Sequence, residues 1–427
     1  MTLWPMLLML VLLAASVPVA LSLLAPSLLY FYLGADLPID IFAQKMVSST
    51  DSFPLLALPF FVLAGCIMNA AGITRRLLAL ADAFVGHFVG GLAQVSVILA
   101  TMMGGLTASA TADAAMLAKM LGPSMIERGY PRGFAAAVVA CSSTIVAMIP
   151  PGIGLIVYAF MANVSVGELF IAGIVPGFLI AAGIMITIYL IARKRGFKAV
   201  RTKMVSLPEL GRSFLDAVWA LTVPVFIVVG LRYGIFTPTE AGAICVLYAI
   251  FVGTVCYKEL RFSHIPEIIR DAVAAICIVM LIICAATTFG YYMVWESVPT
   301  QIANTLTTVT KDPLLLLLLI NVFLLIVGMF IEGTAAIILL TPILVPVTTA
   351  LGIDPVHFGV IMVLNLTIGG VSPPVGTLSF TASSVLRIPS TETFRESLPI
   401  VLAMILVLAL VTLMPQASLF LPTLLMH

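Results

Sequence analysis

Charge is scarce in this sequence. Lys, Arg, Asp and Glu together make up 9 % of the 427 residues, against about 25 % in soluble domains. With 62 % of the residues hydrophobic, the chain cannot cover a globule with polar side chains, which excludes a water-soluble domain. Neither sign of charge dominates. The formal net charge is +1, so no global field draws the chain to nucleic acid, and no nucleic-acid partner is expected. Cysteines are few: Cys66, Cys141, Cys245, Cys256, Cys277 and Cys284 all lie in or at the ends of apolar runs. They read as small hydrophobes rather than a disulfide set. His87, His264, His357 and His427 have no metal-ligand spacing. A phosphate loop, a His-Glu-x-x-His pair and a nucleophile elbow are also missing, so an enzyme is not expected, no catalytic residue is assigned, and coupling to ATP within this chain is excluded.

Long apolar runs, by contrast, are abundant. Stretches such as 167–192 and 398–414 are continuously apolar, unlike the alternating pieces of roughly 10 residues that build membrane β-barrels. The fold class is therefore all-α integral membrane, a polytopic helical bundle seated in a lipid bilayer. The first run, Met6 to Leu33, is too long for a signal-peptide core and lacks a basic start; it reads as a retained first helix. Several later segments are too short to span alone, and they cluster at 104–163 and 328–386.

That pairing reflects an internal repeat. Gly105, Thr111-Ala112, Pro123 and Pro150-Pro151 recur as Gly328, Thr334-Ala335, Pro346 and Pro373-Pro374, each at an offset of 223 residues. A one-residue gap aligns Pro131-x-x-Phe134 with Pro355-x-x-Phe358. The distribution of basic residues then orients the halves. Arg193, Lys194, Arg195, Lys198, Arg201, Lys203 and Arg212 crowd one loop against Glu209, which places that loop in the cytoplasm. Arg75, Arg76, Lys119, Glu127, Arg128 and Arg132 flank the first cluster, so segment 84–126 enters and leaves on the cytoplasmic side as a re-entrant hairpin tipped near Ser109. Lys258, Arg261 and Arg270 are again cytoplasmic, and 271–295 crosses outward. The second hairpin, 313–348, is flanked by Glu296, Asp312, Asp354 and His357, with only Lys311 basic, and opens outward; Arg387 and Arg395 return to the cytoplasm. The two halves thus form inverted-topology repeats. Stretches 72–86 and 258–270 are amphipathic; interfacial helices and ordinary connecting helices fit them equally.

The expected organisation is scaffold helices over 1–70 and a first repeat over 71–192, containing hairpin 84–126 and a broken helix over 133–163. A basic loop follows at 193–214, then scaffold helices and a cytoplasmic arm over 215–270. The second repeat, 271–427, holds hairpin 313–348, a broken helix over 357–386 and the C-terminal helix.

Irregular backbone inside a bilayer survives only where protein or a wet cavity satisfies it. Each repeat has two such places. The hairpin tips are Thr107–Asp113 and Glu332-Gly333-Thr334, and the breaks are centred on Pro150-Pro151 and Pro373-Pro374. Double prolines remove amide donors and leave nearby carbonyls without helical partners. Those carbonyls, with the hydroxyls of Ser109, Thr111, Thr334 and Ser372, are hard oxygen donors of low charge, suited to Na⁺. Asp113 and Glu332 are costly inside a membrane and default to a functional role; capping a hairpin helix fits each of them as well as binding an ion or lining the substrate cavity does. Thr107 belongs to the same tip. Asn365 is a candidate cavity liner or an interhelical hydrogen bond. A channel filter is a rival use for such breaks, but filters are usually built by repeated subunits around a pore.

The stretches GLTASATADAA (105–115), ERGYPRGFAAAV (127–138), IVAMIPPGIGLIVYA (145–159), GIFTPTEAGAICVLYA (234–249), IEGTAAIILLTPILVP (331–346) and GGVSPPVGT (369–377) resemble the large membrane subunit of tripartite ATP-independent periplasmic (TRAP) transporters. The likeness covers nearly the whole chain. It implies a sodium-coupled elevator, with Na⁺ as the coupling ion and no organic cofactor, in a bacterial inner membrane. It also implies a separate small four-helix membrane subunit and a periplasmic binding protein that delivers a carboxylate, such as a dicarboxylate or sialic acid. On that resemblance one sodium site involves Ser109, Thr111, Ala147 and Pro150, and the other Gly333, Thr334, Gly370 and Ser372. Helices of 3–33 and 215–257 are then scaffold, and Glu240 of Thr-Pro-Thr-Glu caps a helix in an outer loop. A one-component sodium/organic-anion symporter of the same superfamily is the nearer alternative.

Overall fold

The structure is a computed structural model describing all residues except 1–2, 16, 34–37, 108, 198, 200, 202–204, 299, 302–311 and 427. Lys198, Lys203, Lys311 and His427, used above, lie outside the described residues. The described chain is helical and contains no strand. Among the described residues seven helices are long and apolar enough to cross a membrane, or eight if one bent pair counts as a single span. Large apolar side chains such as Leu7, Phe178, Ile186, Leu247 and Leu406 are exposed around the outside, which water would not tolerate and lipid does.

The helices are α1 Trp4–Ala14, α2 Val19–Leu33, α3 Ile39–Ser48, α4 Ala57–Ala70, α5 Ile73–Val85, α6 Gly91–Thr107, α7 Ala110–Glu127, α8 Arg132–Ser143 and α9 Ile153–Ala162. They continue as α10 Val166–Arg195, α11 Leu207–Arg232, α12 Pro238–Phe251, α13 Ile265–Trp295, α14 Pro313–Phe330, α15 Gly333–Ala350, α16 Pro355–Gly369, α17 Thr377–Leu386, α18 Ser390–Leu413 and α19 Gln416–Met426.

Element boundaries recur at the offset seen in the sequence. α6 ends at Thr107 and α14 at Phe330; α7 and α15 each have 18 residues and start at Ala110 and Gly333. α9 and α17 each have 10 residues, ending on left-handed Asn163 and Arg387. Both proline pairs fall between a helix and its short partner, at 150–151 and 373–374, and both contain a cis bond.

Two expectations change. The run 3–33 is two helices, α1 and α2, rather than one. Pro18 directly precedes α2, where a residue without an amide donor can start a helix but not continue one. The stretch 258–270 is not a separate arm: Lys258 takes φ 55°, and α13 already begins at Ile265, with Pro266 and Glu267 in its first turn. Proline and an acidic residue both favour a helix start there. Stretch 72–86 does form a helix, α5, bent 73° from α4. It buries Ile73, Leu77, Leu80 and Ala81 while presenting Arg75. Arg75 and Arg76 both reach Glu259, at 2.7 and 2.8 Å, and the Arg76 guanidinium sits 3.7 Å from the Tyr257 ring centre. This fastens α5 to the 257–259 turn. Thr237 and Glu240 form a reciprocal capping box at the start of α12, the role expected of Glu240.

The halves interlock. α7 of the first hairpin packs on α17 of the second half, and α15 of the second hairpin packs on α9 of the first. Each break also stays with its own hairpin: Gly104 abuts Ile149, and the Gly376 amide donates to the Met329 carbonyl at 3.0 Å.

Candidate functional site

A cavity of about 710 Å³ opens where the two hairpin tips meet, within the range of roughly 300–1,000 Å³ typical of small-molecule sites. Each tip is shaped by the same device. In the first, Ser109 has extended backbone and its hydroxyl accepts from the Ala112 amide at 3.4 Å, starting α7. In the second, Glu332 does this for α15, accepting from Ala335 at 3.0 Å. Ser109 and Glu332 are themselves 223 positions apart, so one backbone turn is capped by a hydroxyl in one half and a carboxylate in the other. Glu332 also accepts from the Thr334 hydroxyl at 3.0 Å. Both of these oxygen-bearing caps stand at helix N-termini that line the cavity, where the first amides have no intrahelical acceptor.

Thr107, Ser109, Thr111, Asp113, Ala147, Glu332, Gly333, Thr334 and Gly370 all line this space. Nine candidates from distant parts of the chain therefore converge. Three others do not. Pro150 is buried away from the cavity lining. Ser372 is 3 % exposed, and its hydroxyl donates back to the Ile368 carbonyl at 2.8 Å, the local bond that a hydroxyl near a helix end readily makes. Asn365 is fully buried and donates to the carbonyl and side chain of Asn321 at 3.0 and 2.8 Å. Asn321 in turn donates to Thr412 at 2.9 Å. Asn365 is thus an interhelical tie among α14, α16 and α18, not a cavity liner. Asn365→Leu should lower the melting temperature, costing about 1–3 kcal/mol for the partners left behind. The concentration of any cation needed for half-maximal stabilisation should stay unchanged, and a thermal-shift titration measures both.

Each break folds back on its own backbone, Gly152 toward the Ala147 carbonyl and Gly376 toward the Ser372 carbonyl. In the second, the Gly370 carbonyl accepts from the Leu378 amide at 2.8 Å and the Val371 carbonyl from the Ser379 hydroxyl at 3.0 Å. A carbonyl has two lone pairs, so Gly370 retains acceptor capacity at the cavity. In the first, Gly152 folds back on Ala147 so closely that a side chain there would meet the Ala147 carbonyl at 2.4 Å. Asp113, 1 % exposed, caps nothing: Ser109 takes that role, and the Asp113 carboxylate accepts from the Thr107 hydroxyl across the tip.

Sequence reasoning missed the opposite wall. Asn69 with Gly65 and Cys66 of α4, Pro18 and Ala20 around the start of α2, and Ala275, Ile278 and Ile282 of α13 complete the cavity. Only Asn69 carried a signal, a lone amide near the end of an apolar run; the others are ordinary lipid-compatible residues. Thr367 and Thr377, flanking the second break, also line it. Among the lining residues Asp113 and Glu332 bring carboxylates, and Lys, Arg and His do not occur. The described residues contain no cluster of His, Cys, Asp and Glu able to hold a metal ion in the usual way.

Long apolar helices around a cavity walled by two helix-break-helix hairpins are the build of a multi-pass membrane protein, and its relatives are named as transporter permeases, not enzymes. More particularly, the chain belongs to the family described as "Tripartite ATP-independent periplasmic transporter, DctM component", whose model matches residues 6–417. It is similar to the sialic acid TRAP transporter large permease protein SiaM of Vibrio cholerae, at 41 % identity over 97 % of this chain and 96 % of that one. It is similar also to the C4-dicarboxylate TRAP transporter large permease protein DctM of Pseudomonas aeruginosa, at 39 % identity over 89 % and 88 % of the two chains. Among solved structures, the Alcanivorax borkumensis YdaH transporter matches 96 % of this chain and 98 % of its own with a TM-score of 0.65 at 15 % identity; that likeness concerns the fold.

Proposed function

We propose that this large permease imports an organic acid, driven by sodium, by an elevator motion of the two hairpins and broken helices against the remaining helices. One observation carries the reading: both tips and both break ends reach one cavity that has oxygen donors and two carboxylates but, among the described residues, no cationic side chain. An organic acid entering it would face only negative charge and neutral dipoles. Bound monovalent cations supply the missing positive charge, and backbone carbonyls with hydroxyls are the donors such ions accept in transporters. Ser109, Thr111 and Ala147 would hold one ion, and Gly333, Thr334 and Gly370 another. Pro150 and Ser372, carried over from the family resemblance, would act by shaping the breaks.

The relatives named for sialic acid and C4-dicarboxylate uptake support a carboxylate as substrate. The family's tripartite composition supports a separate small four-helix membrane subunit and a periplasmic binding protein. The inverted orientation of the halves rests on the asymmetry of basic residues, and placement in a bacterial inner membrane rests on the family.

The test is uptake into proteoliposomes holding the large and small subunits, with sialic acid and a C4-dicarboxylate as probes presented by the cognate binding protein. Uptake of a probe should require an inward sodium gradient and vanish in choline. Transport that persists in choline would overturn sodium coupling. Full uptake without the binding protein would favour the one-component symporter.

A further inference from the structure

The two carboxylates of the cavity stand at positions that do not correspond. Glu332 aligns with Ser109, and Asp113 aligns with Ala336. Glu332 is exposed and spends its oxygens on capping α15 and on Thr334. Asp113 is buried, lies one turn inside α7, and lines the cavity. Among the described residues, the side chain it bonds is that of Thr107, the last residue of α6, on the far side of the tip. The two arms of the first hairpin are therefore tied by one bond from a hydroxyl to a carboxylate, with Ser109 between them. The second hairpin has Phe330 where Thr107 stands and Ala336 where Asp113 stands, so it cannot make this tie.

A buried carboxylate needs positive charge or several donors nearby. Among the described residues no Lys, Arg or His lines the cavity, and one threonine hydroxyl is a single neutral donor. We propose that Asp113 is the fixed negative charge of the first cation position, held toward it by Thr107, so that the first tip closes around its ion by charge and the second mainly by neutral dipoles and its exposed cap. Asp113 acts here as a positioning and charge-supplying residue beside the oxygens of Ser109 and Thr111. This rests on the sodium reading above.

Detergent-purified large and small subunits, titrated with NaCl against choline chloride at constant ionic strength, give a sodium-dependent melting shift without needing a substrate. Asp113→Asn keeps an acceptor for Thr107 and removes the charge. It should raise the sodium concentration for half-maximal shift about tenfold, as loss of one nearby charge in a partly screened site does. Thr107→Val should raise it severalfold, and Thr107→Ser should restore the wild-type curve, which a merely space-filling role for Thr107 would not do. An Asp113→Asn titration that overlays the wild type overturns the proposal. If that variant does not fold, overlaid Thr107→Val and wild-type curves overturn it instead. A wild type with no sodium-dependent shift would instead remove the sodium reading itself, so the two failures are distinguishable.

Discussion

Gly369→Leu is expected to leave almost no folded permease. At this position α16 crosses α14 backbone against backbone. A Cβ on Gly369 would lie 2.7 Å from the Cα and carbonyl carbon of Gly328 and 3.0 Å from the Leu325 carbonyl oxygen. A Cβ on Gly328 would meet the Leu366 carbonyl oxygen at 2.8 Å. None of these neighbours is a side chain that could change rotamer, so the helices must separate. Membrane helices associate through close packing of small residues rather than through a hydrophobic drive, and separation forfeits that packing. Overfilling a core against movable side chains already costs about 1–3 kcal/mol, and backbone yields less. Alanine carries the offending atom too, so Gly369→Ala should lose much of the same stability. Size-exclusion profiles and melting temperatures of detergent-solubilised protein measure both variants. A Gly369→Leu protein that elutes and melts like wild type would refute the crossing.

The other large effect concerns the tips. Removing one hydroxyl from each, as Ser109→Ala and Thr334→Val, should raise the sodium concentration for half-maximal uptake about tenfold apiece, because one oxygen facing a charged partner contributes about 1.5–3 kcal/mol. The double variant should approach about a hundredfold, since effects at sites without shared partners add. Ser109 has a second duty as the cap of α7, and its loss to alanine costs about 1 kcal/mol of stability. Ser109→Gly separates the two: glycine is nearly as good a cap, yet it lacks the oxygen. Its sodium curve should match that of the alanine variant while its melting temperature stays closer to wild type. Unaltered sodium activation in Ser109→Gly and Thr334→Val would remove both hydroxyls as ligands.

Much of the site was legible because its signals are local. Ser109 and Glu332 announce themselves as small or acidic residues at the start of apolar helices, and proline pairs interrupt helices wherever they occur. The offset of 223 linked the halves before any contact was known, and element ends fall on it. Less local inferences fared differently. The run 3–33 had enough hydrophobicity for one helix, and hydropathy averages over the single proline that splits it. Asn365 and Ser372 look the same in sequence as residues that face a cavity. What turns them away is a partner 44 residues distant in one case and a carbonyl one turn back in the other.

Composition and order alone, then, determined that this chain lives in lipid, where its helices break, and which small polar residues sit at the breaks. Hydropathy, proline and capping each act within a turn or two of backbone. Only the tertiary structure decided that α7 packs on α17 and α15 on α9, that α2, α4 and α13 wall the cavity, and that Asp113 ties the first tip through Thr107. Those outcomes depend on which surfaces fit at close range. In a membrane every helix is about equally apolar, so the preference of one for another rests on the shape of small residues at a crossing, a property of pairs of helices that no single stretch of sequence contains.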